Sequence, residues 1–138
     1  MKPIGYWLNR TDQAITRHMN GTLREFNLTR IAWQVLNVLQ DTPQISDADV
    51  LSILGANADT PTLSAAIETV LADGWATRPA SGRLTLTPEG HQRLALVAER
   101  VDAFRELSMS GISIDEYRAA VDVLERMTHN LEPNTALR

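Results

Sequence analysis

Two Thr-Pro pairs, Thr60-Pro61 and Thr87-Pro88, constrain this chain most, because each reads as the start of a helix. In such a pair the threonine hydroxyl caps free backbone N–H groups, and proline takes the first helical position, where its missing N–H costs nothing. Similar punctuation recurs along the chain. Leu28, Thr29 and Trp33 occupy the N′, N-cap and N4 positions of one helix, and Ser46 with Asp49, flanked by Ile45 and Val50, opens another. Ser113 with Glu116 forms a full capping box, with Ile112 and Tyr117 as its apolar staple. Gly55, Gly74 and Gly111 read as stops, Gly55 in the left-handed conformation.

Between these marks the apolar residues keep helical spacing, which predicts five to six helices. The first runs from about Pro3 to the Thr22 region through Ile4, Leu8, Ile15, Met19, Leu23 and Phe26, with Gly21 as a kink or an end. A second stops near Leu39, and a short third ends near Leu54. The fourth passes Leu63, Ile67, Val70 and Leu71 to Gly74. Leu94, Val97, Val101 and Phe104 mark the fifth, while Tyr117, Val121, Leu124, Thr128 and Leu131 mark the last, with a frayed tail after Pro133. From Trp75 to Thr87 the period changes to two, with Pro79, Ala80, Ser81 and Gly82 as the loop of a small β-hairpin.

A short helix, a turn, a second helix ending in glycine and then a hairpin is the element order of a winged helix-turn-helix. The expected fold is mainly α with a small β-hairpin: a winged helix-turn-helix core at 29–87, an N-terminal helix at 1–28 and C-terminal helices at 88–138. The outer helices carry more apolar stripe than so small a core can cover, so they are expected to dimerise about a two-fold axis.

Composition narrows the function. With 138 residues, 43% hydrophobic and 22% charged, the chain can bury a core without staples, and it has no cysteine for disulfides, thiolate metal sites or nucleophiles. No apolar run reaches membrane-span length and no signal peptide is recognisable, so a cytoplasmic protein with no membrane partner is expected. His18, His91 and His129 lack metal-ligand spacing, and no phosphate loop, nucleophile elbow or His-Glu-x-x-His motif occurs. We therefore expect no enzyme, no cofactor and no metal. A net charge of −4 excludes a protein that coats nucleic acid by bulk charge, leaving room for a focused site.

The chain resembles the multiple antibiotic resistance regulator (MarR) family over essentially its whole length. The residues that carry the resemblance are Gly5-Tyr6-Trp7-Leu8 through Leu23, Phe26-Asn27-Leu28-Thr29 leading to Trp33-Gln34-Val35-Leu36, Val70-Leu71-Ala72-Asp73-Gly74-Trp75, and Leu86-Thr87-Pro88-Glu89-Gly90. The resemblance implies a homodimeric transcription regulator, usually a repressor, that binds a pseudo-palindromic double-stranded DNA operator and is released by a small-molecule effector. It places Thr62, Ser64 and Ala65 on the recognition helix with Thr60 at its cap, Thr29 and Arg30 near a backbone contact, and Arg78 and Arg83 beside the wing. Arg78 and Arg83 read equally as edge charges that discourage strand aggregation.

Trp7 and Trp33, with His18 as a polar group, are candidates for an effector pocket between core and dimer helices, with plain core packing as the other reading. From Ile31 to Thr77 there is no lysine or arginine, while Asp59, Glu68 and Asp73 fall in that window. This motivates an alternative function, a winged-helix dimer repurposed for protein interaction or ligand sensing without DNA.

Overall fold

The computed structural model describes residues 1–79 and 82–132. Six helices and one hairpin follow in order: α1 (Ile4–Arg24), α2 (Arg30–Asp41), α3 (Asp47–Leu54), α4 (Thr60–Ala72), β1 (Ala76–Thr77), β2 (Thr85–Leu86), α5 (Pro88–Ser108) and α6 (Ile114–Leu131). The loop residues Ala80 and Ser81, and the tail expected to fray after Pro133, lie outside the described residues. Two compact units result, Met1–Phe104 and a second from Arg105 onward.

Most starts sit where local chemistry puts them. The hydroxyls of Thr29 and Ser46 accept the N–H groups of Ala32 and Asp49, each at 3.1 Å. At α5 the Thr87 hydroxyl accepts from Gly90 N at 2.8 Å while donating to the Gly74 carbonyl at 2.8 Å, so one side chain both caps the helix and ties it to the end of α4. Two expectations are corrected. Gly55 is right-handed (φ −60°, ψ −25°), because the chain continues into a further turn closed by Asn57 N on Leu54 O. Gly21 neither kinks nor ends α1, which runs unbroken to Arg24.

In the first unit α2 packs against α4, α3 and β2, and the buried cluster gathers Leu23, Val35, Leu36, Leu39, Val50, Leu63, Ile67, Val70, Trp75, Leu84 and Val97. Burying each such side chain contributes roughly 1.5–3 kcal/mol against its exposure. The hairpin pairs Ala76 with Leu86 and Thr77 with Thr85. A bridge between Ile45 and Leu84, with hydrogen bonds of 3.2 and 2.8 Å, fastens it to the segment before α3. Trp75 is fully buried where α4 meets the hairpin, and the Arg93 guanidinium lies 3.8 Å from its ring centroid.

The second unit is simpler. Gly111 adopts φ +77° and ends the turn after α5, and Ser113 and Glu116 form the reciprocal capping box of α6. No residue of α6 is buried, and Ile114, Tyr117, Val121 and Leu131 are exposed large apolar side chains.

Candidate nucleic-acid interface

Helix α4 buries Leu63, Ala66, Ile67 and Val70, which turns Thr62, Ser64, Ala65, Glu68 and Thr69 outward. Its start differs from the sequence expectation. Asp59, not Thr60, is the N-cap: its carboxylate accepts Thr62 N–H at 2.9 Å, and Thr60 is the first helical residue. The physical reason is that an aspartate at the N-cap adds a negative charge to the positive helix end, and Pro61 leaves Thr62 as the first donor three residues on. Hydrogen bonds from the Thr62 hydroxyl and then its N–H hold the Asp59 carboxyl below the ordinary aspartate range.

On one side of α4 lies a groove of about 310 Å³ lined by Asn27, Thr29, Ile31, Ala32, Thr62, Ala65, Ala66 and Thr69. It brings together three residues proposed from sequence, Thr29, Thr62 and Ala65, from segments far apart in the chain. Arg30 follows Thr29 as the first residue of α2 and is exposed.

On the other side α4 meets the wing through charge. The Arg78 guanidinium, just past β1, binds Asp47 of α3 at 2.5 Å and Glu68 of α4 at 3.3 Å. The Asp47 hydrogen bond above all raises the Arg78 pKa, so the group is permanently cationic. Arg83 donates to the Gln44 carbonyl at 3.4 Å, across the Ile45–Leu84 bridge. Sequence reasoning missed the Asp47–Arg78–Glu68 cluster, whose members are separated by up to 31 residues with no local signal.

The candidate effector residues are not assembled into one cavity. His18 stacks on Phe104 at 5.4 Å and lines a groove of about 520 Å³ with Arg17, Glu25 and Arg100. Trp7 is exposed and meets Tyr6 edge to face, while Trp33 packs against the core. Among the described residues no group of three or more His, Asp or Glu side chains could hold a metal ion. None of the helices there is long and apolar enough to cross a membrane.

No family model matches the sequence, and no curated protein sequence matches it either. Solved structures do. The MarR family protein Rv2887 of Mycobacterium tuberculosis in complex with DNA aligns with a TM-score of 0.72 at 20% identity, covering 92% of this chain and 98% of that one. The chain has the MarR winged-helix fold. A mutant of MepR from S. aureus gives 0.76 at 16% identity, covering 95% and 100%. BpsR of Bordetella bronchiseptica, whose DNA binding is regulated by 6-hydroxynicotinic acid, gives 0.69 at 23%, covering 92% and 94%. In the MarR fold of this chain, α3 and α4 are the helix-turn-helix and the β1–β2 hairpin is the wing.

Proposed function

We propose that this protein is a dimeric transcription regulator, acting as a repressor in the cytoplasm, that binds a pseudo-palindromic DNA operator through α4 and the wing. One observation carries the reading: the N-terminal face of α4, with Thr62, Ser64 and Ala65, is exposed between Thr29 and the hairpin on a frame shared with a DNA-bound MarR protein. A helix so presented fits the major groove, the α2 start with Thr29 and Arg30 suits backbone contact, and Arg78 and Arg83 suit the flanking phosphates. Thr60, one residue inside the helix, adds its backbone N–H and hydroxyl to that end. The unburied stripe of α6 supports dimerisation, and a small apolar or aromatic effector is the release signal by analogy with ligand-regulated neighbours such as BpsR.

The test is an electrophoretic mobility shift of the purified protein against its own upstream DNA over a salt series. A specific shift lost on replacing Thr62 and Ser64 is the expected result. A second reading, a winged-helix dimer that senses a ligand or protein without DNA, is favoured by the pairing of Arg78 with two carboxylates and by Asp59 at the head of α4. Failure to shift any genomic fragment at low salt would favour it over DNA binding.

A further inference from the structure

Helix α4 contains no Lys, Arg, Asn or Gln, so it lacks every side chain that makes bidentate hydrogen bonds to guanine or adenine in the major groove. One of its two groove-side threonines has already committed its hydroxyl proton. Thr69 donates to the Ala65 carbonyl at 3.0 Å, while Thr62 binds the Asp59 carboxylate through its backbone N–H at 2.9 Å. Thr29, across the groove, spends its oxygen on the Ala32 N–H. All three threonines also present methyl groups to the groove, joined by the Ala65 and Ala66 β-carbons and by Ile31. Asn27 at the edge is the one amide in the lining.

An edge of α4 with no bidentate donor and a mostly methyl surface penalises the polar atoms of guanine, because those atoms lose water and gain too few partners. The apolar feature that a base pair displays in the major groove is the thymine 5-methyl group, which pairs with alanine and threonine methyls. We infer that Thr62, Ala65 and Thr69 determine specificity by enclosing thymine 5-methyl groups, so that each half-site is read at this edge as thymine rather than guanine. The inference rests on the DNA-binding reading above and names the chemistry of that same site. Ser64, on the opposite edge with Glu68, remains the polar contact.

Fluorescence anisotropy of the full chain tests this with the tightest duplex recovered from a randomised pool. Deoxyuridine, which lacks only the methyl, replaces each thymidine in turn. Burying one methyl carbon corresponds to about a fourfold gain in affinity, so one or two positions per half-site should weaken by about that factor. Thr62→Ser and Thr69→Ser keep both hydroxyls, including the one that binds the Ala65 carbonyl, and remove only methyls, so they should bring the thymidine-to-deoxyuridine ratio at those positions toward one. Equal affinity for every deoxyuridine duplex, with tight binding retained, overturns the inference and leaves DNA binding standing. A pool that yields no binder removes both.

Discussion

A β-carbon on Gly90 would overlap the carbonyl oxygen of Trp75 and stand 2.9 Å from its carbonyl carbon. The first turn of α5 therefore lies directly on the backbone that leads into the wing, where Thr87 N also donates to Trp75 O at 3.0 Å. The Leu86-Thr87-Pro88-Glu89-Gly90 run is a docking surface as well as a helix start: threonine ties, proline opens and glycine makes room.

Gly90→Ala should destabilise the protein by about 1–3 kcal/mol, the usual cost of forcing extra volume into a packed site. Gly21, also helical, has nothing within 4 Å of its β-carbon position, and Gly21→Ala should stabilise by about 0.5–1 kcal/mol. Urea unfolding of the two variants checks the contrast, and equal midpoints would contradict the close approach.

Arg78 should matter little to stability and more to DNA. Its ion pairs are about one-third to two-thirds exposed, so Arg78→Ala should cost less than about 1 kcal/mol of folding free energy. In mobility shifts the same variant should weaken all duplexes alike and flatten the salt slope by about one unit. Releasing the guanidinium with Asp47→Asn and Glu68→Gln should have the opposite effect on affinity, because two negative charges leave the side that the proposed DNA complex turns toward phosphate.

The cap of α6 predicts an acid-sensitive helix. Hydrogen bonds from the Ser113 N–H, at 2.9 Å, and then from its hydroxyl hold the Glu116 carboxyl below the ordinary glutamate range. A carboxyl depressed in the folded state contributes its stability fully above the unfolded value and loses it as pH falls through the folded one. Helicity followed by circular dichroism should therefore decline on acidification below the ordinary glutamate range, and Glu116→Gln should show a smaller decline because its amide does not titrate.

Tyr117 and Val121 are both about half exposed on α6, one turn apart. If they seal a two-fold interface, light scattering should give twice the 15.3 kDa chain mass, and Val121→Asp should shift the mass toward a single chain. A single-chain mass for the unaltered protein at micromolar concentration would end the dimer proposal.

Caps explain how far reading along the chain reaches. Thr29, Ser46 and the Ser113–Glu116 pair act on N–H groups three residues away, so the backbone that satisfies them is written beside them, and their helices begin where spacing predicts. Thr60-Pro61 reads as cap and first helical residue, but Asp59 next to Thr60 is an equally good acceptor and is the one that takes the Thr62 N–H. The resemblance places Thr62 and Ser64 on an outward face, but nothing along the chain shows that Thr69 turns its hydroxyl back to the Ala65 carbonyl. Contacts between distant segments left no periodic trace at all. Asp47, Glu68 and Arg78 meet because α3, α4 and β1 converge on one buried cluster, and Thr29 faces Ala65 because α2 packs on α4. Local hydrogen bonding and apolar spacing are short-range and could be read residue by residue; charge pairing and the shape of the groove depend on how the helices pack, which no single segment encodes.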